Sequence, residues 1–397
     1  MVKTKKRSLS IFLTLLFAFA LVPALSAKTL KIGLNYALNW PLGIDGLKTI
    51  ELDIEKVNKA GGLNIGGEKY LIELVVVDNK MDIGLAKTVT ERLIFKDEVK
   101  FMLGDGFMFS YLDLADANKL LTIASGVVDS ICLPKYKYMF RASAVFMWAS
   151  LIQWMAEHYP NYKSYTLTMP DRIDGRAYEP YWRKNGDVVG LKSTVLFYPP
   201  TSVDHSALGT KIKSINSDML IPFGGGPQTD SLIIKAARAA GYNGQIVNTA
   251  SIPGGVMMGI AGPEAIEGMI SIAWPFEFDD PVTPLAKEFK EDWIAKYGAW
   301  TFPEPAQTLN WYLLKAAFAK ASSPNPDEIA EILASGLKYD SPLGSGMMVA
   351  RRDLGNNRTV EMNIEGYIKK IEHGKIKYIG KMDAEQVYQY CIKALGW

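Results

Sequence analysis

Residues 32–82 read IGLNYALNWPLGIDGLKTIELDIEKVNKAGGLNIGGEKYLIELVVVDNKMD. An apolar run from Leu30 to Leu34 opens as a strand, and the loop NYALNWPLGIDG carries it into a segment where Leu47, Ile50, Ile54 and Val57 recur at helical spacing. That helix is expected to stop at Ala60-Gly61-Gly62, because glycine accepts the left-handed cap conformation. A strand from Tyr70 to Val77 follows, and Asp82 stands where it can cap a helix with Ala86, Val89 and Leu93 on one side. A short strand, Val99 to Leu103, ends at Gly104. The alternation predicts a parallel sheet with helices on both faces.

The same rhythm restarts at Ser164 with SYTLTM, a helix after Gly175, the strand STVLFYPP, a helix from Leu208 to Ile215, the strand DMLIPFGGG and the helix TDSLIIKAARAAGY. Two such runs predict two lobes, which also suits a chain too long for one core. Beyond residue 275 come PLAKEFKEDWIAKYG, AQTLNWYLLKAAFAKA and a shorter helix started by Asn325-Pro326-Asp327-Glu328. A hairpin-like pair, MNIEGYIKKIEHGKIKYIG, turns at His373-Gly374.

The N-terminus has the form of a secretory signal peptide. Lys3, Lys5, Lys6 and Arg7 precede an apolar run from Ile11 to Val22, with small residues at Ala24, Ser26 and Ala27. As a helix that run would extend about 18 Å, short of the roughly 30 Å of bilayer hydrocarbon, so cleavage after Ala27 is expected. Lys28 follows where a lipoprotein would need cysteine, so no lipid anchor is expected. Loss of the four cations leaves 40 Lys+Arg against 42 Asp+Glu, a net charge of −2. With lysines interspersed among acids, as in GLKTIELDIEKVNKAGG, the charge pattern argues against a nucleic-acid partner. Cys132 and Cys391, the only two cysteines, read as buried or idle thiols. Three histidines and two cysteines make a metal site unexpected, and no cofactor is implied.

Catalytic signatures are equally sparse. His158 sits at a helix end, His205 at a helix start and His373 in a turn, each with an ordinary structural reading. PLGSGMM around Ser345 does not have the spacing of a hydrolase nucleophile elbow. Gly224-Gly225-Gly226 follows an apolar strand, but no phosphate-loop pattern completes it. The chain therefore reads as a binding protein and not an enzyme. An exported hydrolase and a ligand-sensing receptor module are the rival classes. Open α/β sheets bind ligands beyond the carboxyl ends of their strands. The loops in question are Asn39 to Gly46, Asp105 to Ser110, Ala124 to Val128, Met169 to Gly175, Gly224 to Gln228 and Thr249 to Gly255.

Taken in order, the opening stretch 32–82, FMLGDG, YMFRASA, IAGPEAIEGMIS and SPLGSG resemble the leucine/isoleucine/valine-binding family, the type I periplasmic solute-binding proteins of ABC importers. The resemblance implies an α/β fold of two doubly wound parallel-sheet lobes joined by three crossings. These are placed near Ala142 to Ala144, Ala273 to Pro275 and Gly346 to Arg351. Residues 1–27 would then be the signal peptide, 28–142 and 275–348 the N-terminal lobe, and 143–274 and 349–397 the C-terminal lobe with a closing hairpin near the hinge. It further implies a periplasmic monomer that holds a small molecule between its lobes and delivers it to an inner-membrane permease and ATPase.

Carried across residue by residue, the resemblance gives a partial site. The family serine that takes a ligand carboxylate aligns with Met108, with Ser110 two further on. The next loop, Ala124-Ser125-Gly126, supplies backbone groups and one hydroxyl. Family aromatics are replaced by Asp45 and Asp174, while Trp40, Phe107, Met108 and Phe109 offer apolar walls. Pro227 and Gln228 complete the second-lobe loops. The family's ammonium-pairing acid would fall near Ala250 or Ser251, neither charged. A micromolar ligand is bound by about 8 kcal/mol, and a desolvated charge without its partner costs about 2 to 5 kcal/mol. Either Asp45 or Asp174 takes the ammonium, or the ligand has none. A branched-chain amino acid or related solute is the first expectation, and an aromatic or aliphatic carboxylate the rival.

Overall fold

The structure is a computed structural model and describes residues 27–39, 41–126, 128–250, 253–301 and 305–397. In chain order the first half runs β1 (Lys28–Tyr36), α1 (Pro41–Lys59), β2 (Leu63–Ile65), β3 (Glu68–Asp78), α2 (Ile83–Phe95), β4 (Phe101–Gly104), α3 (Leu112–Ala117), β5 (Leu121–Ala124), β6 (Met139–Arg141), α4 (Val145–His158), β7 (Ser164–Pro170) and α5 (Ile173–Asp187). It continues through β8 (Lys192–Tyr198), α6 (Ser206–Ile215), β9 (Met219–Pro222), α7 (Gly226–Ala239), β10 (Gln245–Asn248), α8 (Gly254–Ala261) and β11 (Ile270–Ala273). The remainder is α9 (Pro284–Tyr297), α10 (Pro305–Phe318), α11 (Pro326–Ala334), β12 (Lys338–Ser341), β13 (Gly344–Arg351), β14 (Asn356–Ile364), β15 (Gly366–Glu372), β16 (Lys375–Met382) and α12 (Ala384–Leu395).

The strands form two sheets. One has the order β12-β13-β14-β6-β5-β4-β1-β3-β2 and the other β16-β15-β11-β10-β9-β7-β8. Pairing is parallel from β3 through β1, β4, β5 and β6 to β14, and again from β8 through β7, β9 and β10 to β11; the outer pairs are antiparallel. Parallel strands are covered on both faces, hence the wholly buried runs Phe101–Gly104, Leu121–Ala124 and Ile270–Ala273. Both sheets reverse winding direction, between β1 and β4 in the first and between β7 and β9 in the second, and crevices at such switch points are where ligands enter.

Local signals behave as their chemistry requires. Asp82 accepts the Leu85 amide at 2.6 Å and Asn325 the Asp327 amide at 2.8 Å, starting α2 and α11. His373 and Gly374 both adopt positive φ, +53° and +68°, which closes the β15–β16 hairpin as a two-residue turn. The third passage between sheets differs from expectation. Residues 346–351 lie inside β13, and β14 also pairs within the first sheet, against β6, so the chain leaves that sheet at Glu365 and not at Gly346 to Arg351. Gly344 of SPLGSG closes the tight turn between β12 and β13, whereas Gly346 pairs with Tyr339 inside the ladder. Gly344 has φ +119° and a methyl there would meet Glu365 Cγ at 2.8 Å. No helix among the described residues is long and apolar enough to cross a membrane.

Candidate functional site

At the first sheet's switch point, β4 ends on Gly104-Asp105. Asp105 is buried, accepts the Asn79 amide group at 2.6 Å and the Phe107 backbone amide at 2.9 Å, and burial pushes its carboxyl up to about 6. These bonds fold the chain back so that Phe107 and, in the 3-10 turn that follows it, Phe109 and Ser110 are half-buried. Beyond β5, Ser125 is half-buried and Gly126 lies over the core, where a methyl would sit 2.0 Å from Ile131 Cδ1. The hydroxyls of Ser110 and Ser125 are both removed from solvent and have no hydrogen-bond partner. An orphaned buried hydroxyl is costly and becomes useful when a ligand acceptor reaches it.

The two acids that replace family aromatics are already engaged. Asp45, in the first turns of α1, receives Lys48 Nζ at 3.1 Å. Asp174, at the start of α5, receives Arg172 Nε at 2.6 Å and the Gly175 amide at 2.9 Å. Arg172 also donates to the Gly224 carbonyl at 2.8 Å, which ties the β7 and β9 loops of the second sheet together. The Gly224-Gly225-Gly226 turn is held from beneath by Asp230 of α7, whose Oδ1 accepts the Gly225 amide at 3.1 Å. Glycine is required at the middle position, because a methyl would lie 2.4 Å from the Tyr198 hydroxyl and 2.7 Å from Asp230 Oδ1. Asp230 has no exposed surface and its Oδ2 is unpartnered, so burial raises its carboxyl to about 7.

The remaining expected residues separate cleanly. Met108 is wholly buried, with its sulphur 3.2 Å from where a Gly126 methyl would stand, so its side chain is core under the loop and not a wall. Ala124 is buried at the end of β5, with its carbonyl taken by the amides of Gly126 and Ala142. Pro227 and Gln228 are exposed on the first turn of α7. Trp40 and Ser251 lie outside the described residues, as does the expected signal segment up to Ser26. The two thiols are unbridged and buried, Cys132 against Glu361 and Cys391 against Ser150. Sequence reading missed an aromatic cluster on the second lobe. Phe223, just past β9, packs against Trp148 of α4 at 5.8 Å and Trp182 of α5 at 4.1 Å, with the half-buried Tyr178 edge-on at 6.3 Å. The available signal was helical spacing, since Tyr178 is four residues beyond Asp174 on α5.

The profile of a family described as periplasmic binding protein matches residues 29–363. The chain belongs to the periplasmic binding protein family. Its members are solute-binding proteins and not enzymes. A leucine-, isoleucine-, valine-, threonine- and alanine-binding protein of Pseudomonas aeruginosa is 24% identical over 344 residues, covering 84% of this chain and 89% of that protein. A Leu/Ile/Val-binding protein homologue of Brucella abortus is 26% identical over 327 residues, 76% of this chain and 78% of that protein. Among solved structures, a Streptococcus pneumoniae branched-chain amino acid binding protein in complex with isoleucine superposes with TM-score 0.68 at 20% identity, covering 89% of this chain and 99% of that one. A Rhodopseudomonas palustris solute-binding protein in complex with 3,4-dihydroxybenzoic acid gives 0.67 at 19%, covering 90% and 98%. These likenesses establish the two-sheet α/β fold that the sequence rhythm predicted, with sheets that are mixed and dominated by parallel strands.

Proposed function

We propose that this chain is the extracytoplasmic substrate-binding component of an ABC importer, secreted through its N-terminal segment, and that it captures a small organic carboxylate without an ammonium group. One contrast carries the ligand class. Asp45 and Asp174, the acids placed to take an ammonium, each hold a cation of this chain, whereas the Ser110 and Ser125 hydroxyls stand buried with nothing to donate to. A ligand carboxylate satisfies both hydroxyls, and a charge-assisted hydrogen bond contributes about 1.5 to 3 kcal/mol. At Asp45 or Asp174 a ligand ammonium would have to share the acid with Lys48 or Arg172. The aromatic cluster at Trp148, Tyr178 and Phe223 supports an aromatic or branched aliphatic body.

A branched-chain amino acid is the second reading, favoured by the ligands named for the Pseudomonas and Streptococcus relatives. A thermal-shift screen of purified protein against leucine, isoleucine and valine on one side and benzoate and branched aliphatic carboxylates on the other separates the two. At one hundred times the dissociation constant, a ligand stabilises by about 2.7 kcal/mol. Stabilisation by the carboxylates alone is expected, and stabilisation by the amino acids alone rejects the ligand class while leaving the transport role.

A further inference from the structure

One contact joins the end of the Ala124–Val128 loop to α5 of the second lobe. Asp129, directly after the Ala124–Val128 loop, offers one carboxylate oxygen to three donors: Arg141 Nη2 at 3.0 Å from the end of β6, Arg351 Nη1 at 2.9 Å from the end of β13, and the Tyr181 hydroxyl at 2.8 Å from α5. The first two belong to the first sheet and are also held by Glu361 and Asp353. Tyr181 belongs to the second lobe. Burial alone would raise the Asp129 carboxyl, but the charge of Arg141 and the bond from Arg351 override it and hold it far below the usual range. The two guanidinium groups therefore favour the anionic form of the acceptor.

Tyr181 is also in register with the ligand face of its helix. Asp174, Tyr178 and Tyr181 fall at i, i+4 and i+7 on α5, which places them along one side. Tyr178 contributes to the aromatic cluster, and its ring is 6.1 Å from that of Tyr181. Phe146 fixes the far end, 4.8 Å from Tyr181 and lying under the guanidinium groups of Arg141 and Arg351 at 5.0 and 5.3 Å. One helix face thus runs from Asp174 at the start of α5 to a fixed anion in the opposite lobe.

We infer that the Tyr181–Asp129 hydrogen bond is an interlobe latch, with Tyr181 a positioning residue that sets α5 against the Ser125 loop and restrains opening of the cleft. The inference rests on the two-lobed trap of the preceding section but not on the ligand class. Spin labels at Met81→Cys and Val203→Cys report the gap between the lobes, since both positions are exposed while native Cys132 and Cys391 are buried. In ligand-free protein, Tyr181→Phe should broaden the label distances and move them to longer values, with ligand affinity weakened about tenfold and a near-unchanged response in a Tyr162→Phe control, whose hydroxyl donates to Gln245 within the second lobe. Unchanged distances in the ligand-free Tyr181→Phe protein overturn the latch, whether or not a ligand has been found. Should Tyr181→Phe fold poorly, hydrogen exchange on the unmodified protein decides. Amides of 129–132 and 178–185 should open with the same protection, and independent opening refutes it. A protein that shows the latch but binds no carboxylate would reject only the proposed ligand.

Discussion

Replacing Asp230 by asparagine should leave stability nearly unchanged at pH 4 and raise it at pH 8. The carboxyl is wholly buried, has one bond from the Gly225 amide and one oxygen without a partner, and titrates at about 7 in place of 3.8. Below pH 4 the folded and unfolded chains are both protonated and the group is silent. Between pH 4 and 7 the unfolded chain ionises while the folded chain keeps its proton, so stability falls as pH rises. Above pH 7 the loss is complete. Three pH units at about 1.4 kcal/mol each give about 4 kcal/mol. Asparagine retains an acceptor for Gly225 and never ionises, so it behaves as the protonated acid. Urea unfolding at pH 4 and pH 8 should show Asp230→Asn within about 1 kcal/mol of the parent at the lower pH and more stable by about 2 to 4 kcal/mol at the higher. Asp105, pushed up to about 6, contributes the same slope to both proteins and cancels from the difference. An equal effect at the two pH values would refute the reasoning, because it would mean that the carboxylate has a compensating cation.

Other outcomes follow from the same geometry. Glu361→Gln should destabilise by about 3 to 5 kcal/mol in chemical denaturation, since it leaves Arg141 and Arg351 buried with a reduced counter-charge. Ser110→Ala and Ser125→Ala should each weaken carboxylate binding about tenfold in calorimetry while leaving the ligand-free melting temperature unchanged or higher, because each removes an orphaned hydroxyl. Gly225→Ala should cost about 1 to 3 kcal/mol by overpacking against Tyr198 and Asp230, read as a lowered urea midpoint.

The strand and helix rhythm was legible because parallel strands must be continuously apolar and their helices amphipathic. It carried the reading through α2, α7 and the β15–β16 turn. The passage at Glu365 was not legible, because Met347–Arg351 and Asn356–Ile364 look alike as strands, and only pairing with β6 assigns them to the first sheet. At the site, loop positions followed from topology, but side-chain direction did not. Met108 and Ser110 are two residues apart in the same 3-10 turn, yet one is core and the other half-buried with its hydroxyl unpartnered. The acids illustrate the same limit. Nothing in the sequence around Asp174 distinguishes an ammonium ligand from a partner of Arg172, because both need the same carboxylate. Asp129 and Tyr181 escaped notice because their meeting joins positions 52 residues apart across two lobes.

The central claim is a two-sheet trap whose cleft carries hydroxyl donors while Asp45 and Asp174 each hold a cation of this chain, and isothermal calorimetry on one matched pair tests it. Leucine and 4-methylpentanoate share a branched body and a carboxylate and differ in the ammonium. The account predicts that 4-methylpentanoate binds at least tenfold more tightly than leucine. Tighter binding of leucine would contradict it.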